Sequence, residues 1–108
     1  MPSTVEKVND TVVLSIQFEA LDASTAKCYR QDFDQVAEEN AQVLLDMENV
    51  EFVDSAGLGA IVAGLKSLRA NGGEMKICNV HKTVRALFEL VRMHRLVDIY
   101  NSREEALA

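Results

Sequence analysis

Apolar and polar residues alternate along positions 11–18, with Val12, Leu14, Ile16 and Phe18 on one side and Ser15 and Gln17 on the other. A period of two is the pattern of a strand with one covered face. Residues 4–8 precede it closely enough to pair with it. The period changes at Ala23: Ala26, Tyr29, Phe33, Val36 and Ala37 recur at helical spacing, with Asp22 in the N-cap place and Glu38-Glu39-Asn40 closing the segment. Residues 43–47 read as a strand covered on both faces.

Val50, Phe52 and Val53 read as a short buried strand, after which Leu58, Ile61, Val62, Leu65 and Leu68 fall on one helical face. Asn71-Gly72-Gly73 ends that helix with residues that tolerate the left-handed region. Residues 74–80 form the next strand, residues 82–92 a third helix and residues 96–100 a last short strand. Ser102-x-x-Glu105 is a capping-box pattern that opens a final turn or two of helix. Repeated strand–helix alternation predicts an α/β fold, a mixed and mostly parallel sheet of four to five strands packed with about four helices.

Composition narrows the function classes. The 108 residues, 48% of them hydrophobic, suit one domain over positions 1–108 with a single core. The net charge of −6, with Lys and Arg scattered, disfavours direct contact with nucleic acid, because phosphate contacts supply most of that affinity. Cys28 and Cys78 stand far apart, with no His at ligand spacing, and read as reduced thiols. No metal or cofactor is implied. No basic leader followed by an apolar run opens the chain, and no stretch reaches the length of a membrane span, so a cytoplasmic protein is expected.

The candidate chemistry sits at Val53-Asp54-Ser55-Ala56-Gly57-Leu58-Gly59. Ser55 falls at the mouth of a helix, where unpaired N–H groups and the helix dipole favour an anion by about 0.3–1 kcal/mol. Gly57 and Gly59 allow a tight bend that leaves the hydroxyl uncovered. Two readings of Ser55 stay open on spacing alone: an ordinary N-cap, or a phosphate acceptor.

Enzyme motifs fail on the letters. Val53 stands where a nucleophile elbow needs its first glycine, and Val62 where a dinucleotide fingerprint needs its third. Gly59-x-x-x-x-Gly64 leads into Leu65-Lys66 and is no phosphate loop. His81 and His94 lack partners for catalysis or metal and read as solvated. Arg92, His94 and Arg95 form a basic cluster that reads as a solvated face or as a contact for an acidic partner.

The 53–62 segment resembles the signature of the STAS-domain anti-sigma factor antagonists. Leu21-Asp22-Ala23-Ser24-Thr25-Ala26 resembles the opening of that family's first helix, and Gly72-Gly73-Glu74-Met75 its turn into a central strand. Val84-Arg85-Ala86-Leu87-Phe88-Glu89-Leu90 is similar to its third helix. The resemblance implies the STAS fold and a phosphorylation-controlled partner switch without intrinsic catalysis. In such a switch the unphosphorylated protein binds an anti-sigma factor or serine-protein kinase. That kinase phosphorylates Ser55 with its own ATP and so releases the protein, and a PP2C-type phosphatase restores it. The resemblance also places Asp22 near Ser55, which Asp54 adjoins in sequence. Around that site Leu58, with Ala56 and Gly57, is expected to form the dry centre of a contact, with Asp22 and Ser24 at its rim. Leu58 reads equally as core. Two other functions fit the same family: the STAS subunit of an ABC-type lipid transporter, and a ligand-binding STAS module.

Two departures from the family pattern bear on local structure. His81-Lys82 replaces the family's Ser-Pro before helix three, so that end should fray more easily. Val91-Arg92-Met93 supplies no glycine to end the same helix, which makes residues 91–96 the least certain in shape.

Overall fold

A computed structural model describes residues 3–108; Met1 and Pro2, the first two positions of the expected domain, lie outside them. Strand β1 (Ser3–Val8) pairs antiparallel with β2 (Thr11–Ile16) across a turn in which Asn9 takes φ 55°. The strands β4 (Gln42–Asp46), β6 (Glu74–Cys78) and β7 (Asp98–Tyr100) then add in parallel, giving the order β1-β2-β4-β6-β7. With helices α1 (Ala26–Ala37), α2 (Ser55–Ala70), α3 (Lys82–Leu90) and α4 (Arg103–Leu107), this is the mixed α/β fold expected.

A second, two-stranded sheet was not foreseen. β3 (Ala20–Leu21) pairs in parallel with β5 (Phe52–Val53), and residues 17–19 leave the long strand instead of extending it to Phe18. Two residues are too few for a periodic pattern, so only tertiary contact reveals β3.

The core lies between one face of the five-stranded sheet and helices α1 to α3. Leu14, Ile16, Val43, Leu45, Met75 and Ile77 from the strands meet Tyr29, Phe33, Ile61, Leu65 and Phe88 from the helices. β2 is covered on its other face as well, which corrects the one-sided reading. Val13 packs with Leu44 and Cys78 against Ala106 of α4. Arg103 pins that helix: it donates to the Asp46 carboxylate at 2.6 Å and to the Ser15 hydroxyl at 2.7 Å. Asp46 is buried and accepts from Asn79 and Glu48 besides, so its charge is fully solvated by protein. Both cysteines are free thiols; burial and the Asp46 charge push that of Cys78 up to about 12.

Helix ends refine the expected boundaries. α1 begins at Ala26 rather than Ala23, because residues 22–25 form a turn, and Thr25 rather than Asp22 occupies its cap position. Ser102 accepts from the Glu105 amide at 3.1 Å, the expected capping bond. His81 provides no side-chain cap for α3, but its ring meets the Glu48 carbonyl and Thr83 donates to the Glu51 carbonyl at 3.0 Å. Those two contacts tether the end that the missing cap would leave loose.

At the far end of α3 the chain makes the left-handed turn without a glycine. Arg92 takes φ 58° and ψ 43°, and a single 3-10 turn (Met93–Arg95) leads to β7. A left-handed non-glycine residue costs roughly 1–2 kcal/mol, partly offset by glycine's greater unfolded-state freedom. Arg92→Gly is therefore expected to raise stability by about 0.5–1 kcal/mol, read as a higher urea midpoint at unchanged m-value.

Candidate functional site

The β3–β5 pairing brings together two loops more than thirty residues apart in sequence. Leu21 stands opposite Val53, and the Asp54 amide donates to the Leu21 carbonyl at 3.2 Å. Directly beyond this pair, β3 runs into Asp22 and β5 into Asp54 and Ser55.

The N-cap reading of Ser55 fails, because another residue holds that place. It is Asp54 that caps α2: one carboxylate oxygen accepts from the Gly57 amide at 2.9 Å, in the N3 place where a cap bond belongs. The other oxygen accepts from the Ala23 amide at 3.3 Å, tying the helix to the loop before α1. Ser55 is thus the first residue inside the helix and is exposed, its hydroxyl left out of the capping bond.

Asp22 organises the facing loop. Its carboxylate accepts from the Ser24 amide at 2.9 Å and the Ser24 hydroxyl at 2.7 Å, while Thr25 donates to the Ala20 carbonyl at 2.8 Å. The hydrogen bonds from Ser24 hold the Asp22 carboxyl below its ordinary 3.8. Asp22 is half-buried, and Ser24 is exposed at the rim.

The three small and apolar positions separate. Ala56 is exposed, whereas Leu58 is half-buried and packs on the core with only part of its surface free. Gly57 is buried and offers no contact surface, which corrects its place at the centre of the interface. A Cβ there would stand 2.0 Å from the Leu21 carbonyl oxygen, so glycine is required by close approach and not by a bend. A Cβ on Gly59 would meet open space, and that residue is not needed to uncover Ser55.

Phe52 also departs from its expected place. Sequence pattern put it in a buried strand with Val50 and Val53, yet it is 55% exposed while Val50 is 0% and Val53 7%. On a two-residue strand neighbouring side chains point opposite ways, and only Val53 points inward. No group of His, Cys, Asp and Glu among the described residues could hold a metal ion, and no helix there is long and apolar enough to cross a membrane.

Comparison with known proteins agrees with this geometry. The sequence matches the STAS domain family over residues 3–106. The anti-sigma F factor antagonist of Paenibacillus polymyxa is 30% identical over 89 residues, covering 81% of this chain and 76% of that protein. An anti-sigma factor antagonist from Mycobacterium paratuberculosis superposes with a TM-score of 0.87 at 23% identity, covering 97% of this chain and 89% of the other. The Bacillus protein SpoIIAA has been solved unphosphorylated and phosphorylated. Its two forms match with TM-scores of 0.71 and 0.72 at 22% and 23% identity, each over 97% of this chain and over 93% and 96% of their own.

Two outcomes follow from the geometry. Gly57→Ala must displace the Leu21 backbone and is expected to cost about 3 kcal/mol, measured by urea unfolding. The Asp22 carboxyl, its folded value depressed, keeps its bonds to Ser24 above the ordinary carboxylate range and loses them as pH falls through the lowered value. A pH titration by NMR is expected to show the Ser24 amide moving with a midpoint below 3.8.

Proposed function

This chain belongs to the STAS domain family, with the anti-sigma factor antagonists, and we propose that it is a cytoplasmic docking protein whose partner is released when Ser55 is phosphorylated. The observation that carries this reading is the exposed Ser55 at the start of α2 with the capping role taken by Asp54. A hydroxyl free of the cap and open to solvent is what an incoming kinase needs.

The chain carries no phosphate-binding loop of its own, so nucleotide, Mg²⁺ and transfer chemistry come from the partner. That partner is an anti-sigma factor or serine-protein kinase, and a PP2C-type phosphatase reverses the modification. Asp22 acts as a positioning residue, bracing the rim loop internally through Ser24, while Asp54 ties that loop to the Ser55 end. Ser24, Asp54, Ala56 and the free part of Leu58 complete the contact.

Electrostatics decide where the switch acts. Phosphate adds about −1.5 to −2 charge near neutral pH. One unit charge about 6 Å from a carboxylate costs roughly 3 kcal/mol at an effective dielectric near 20. The helix end returns at most about 1 kcal/mol, and Asp54 already occupies part of it. Full release needs about 5.5 kcal/mol of differential affinity. Repulsion within the chain is present in the bound and the free protein alike and does not itself release a partner, so the difference in affinity arises against the partner and the fold itself changes little.

The test is phosphosite mapping by mass spectrometry after incubation with ATP and the serine kinase of the same cell. Wild type is expected to gain one phosphate, at Ser55, and Ser55→Ala none. Modification elsewhere, or nowhere, overturns the reading. Ser55→Asp, which adds one charge, is expected to weaken binding to the same kinase roughly a hundredfold by calorimetry.

A further inference from the structure

Phe52 has no structural task that explains an aromatic ring. The parallel register places Ala20 opposite Phe52 and Leu21 opposite Val53. Leu21 and Val53 face the core, so Ala20 and Phe52 form the outer face of this small sheet, and a methyl group covers little of a ring. The mount is rigid. The amides of Glu51 and Phe52 both donate to the Glu19 carbonyl, at 2.7 and 3.3 Å, and Thr83 holds the Glu51 carbonyl.

An acidic cleft is lined by Gln17, Glu19, Glu48, Asn49, Glu51 and His81, of which Glu51 adjoins Phe52 in sequence and Glu19 accepts from its amide. Three of these residues are glutamates and none is Lys or Arg. A side-chain hydrogen bond with Glu51, and the Glu51 charge after it, hold the Glu19 carboxyl above the ordinary range. With no Lys or Arg among its lining residues, the cleft is complementary to a cationic group from outside.

We propose that the exposed Phe52 ring is the aromatic anchor of the partner-binding surface, taken into an apolar pocket of a partner whose rim is basic where it meets Glu19, Glu48 and Glu51. This deepens the reading of Ser55 and rests on it. Phe52 stands three positions before Ser55, so their Cα atoms lie within about 11 Å, inside the footprint of one interface. A preformed aromatic flanked by charge is the usual make-up of the residues that dominate binding. The carboxylates disfavour an anionic lipid surface or nucleic acid, and a second copy meeting the same face would bring like charges together.

The experiment uses the kinase purified by its activity on Ser55 and compares KM and kcat for the intact chain and its variants, with thermal melting as the control for folding. Phe52→Ala is expected to raise KM at least tenfold with kcat nearly unchanged, and Phe52→Leu to recover part of the loss. The double variant Glu19→Gln, Glu51→Gln is expected to raise KM at low salt and flatten its salt dependence. A KM within twofold of wild type for Phe52→Ala overturns the inference while leaving Ser55 as the acceptor. If Phe52→Ala melts early, Phe52→Leu decides in its place: a wild-type KM in that variant, together with an unchanged double variant, overturns the inference. Self-association of wild type that Phe52→Ala abolishes in sedimentation, with KM unchanged, reassigns the ring to a second copy. A wild-type chain that the cell's kinases do not phosphorylate at Ser55 overturns both readings.

Discussion

The Leu21 carbonyl oxygen occupies the space that a side chain at position 57 would need. The rest of the Ser55 end depends on this approach. It lets α2 start flush against β3, so that the Asp54 amide reaches the Leu21 carbonyl and its carboxylate spans Gly57 and Ala23. One acidic side chain thereby closes a helix and fastens a second loop to it. Ser55 gains its position from bonds that it does not itself make.

The same arrangement sets the sign of the local field. An N-terminal helix end is positive and would welcome a phosphate, but Asp54 sits on it, with Asp22 on the neighbouring loop. The site is built to tolerate a neutral hydroxyl and to be unbalanced by added negative charge. Glu19, Glu48 and Glu51 extend that bias along one side of the molecule, within a chain whose net charge is −6. In the proposed switch, an acidic face would attract a basic partner while Ser55 is unmodified. Specificity between the two states would then come from a repulsive element added at the contact and not from a new attractive one.

Long periodic segments were legible in the sequence, and so was the motif around Ser55. The alternation at 11–16 and the helical stripes of α1 and α2 each carry enough turns or pleats to declare themselves, and the glycine pair at 72–73 marks a stop, with Gly72 at φ 83°. What escaped was set by contacts distant in sequence. β3 is two residues long and exists because β5 lies beside it. Phe52 looked like core because it stands among apolar neighbours, but outward alternation on a short strand exposes it. The second covered face of β2 depends on Arg103 reaching Ser15 from 88 residues away and Asp46 from 57. Gly57 read as a bend because a single sequence does not distinguish a glycine needed for φ from one needed for approach; its role here is approach.

These features favour a switch that works by surface charge over one that works by shape. The central strands are packed on both faces, with α4 clamped by a part-buried ion pair. The start of α2 is held by two carboxylate bonds and a close backbone contact. Small strains in close-packed interiors do not grow into large motions without a second stable packing to move into. In the proposed switch the free energy would then appear as a difference in affinity between the two charge states of a single conformation. That requirement would concentrate the burden on the few square nanometres around Ser55, where a partner would meet the two aspartates, the exposed ring and the new phosphate together.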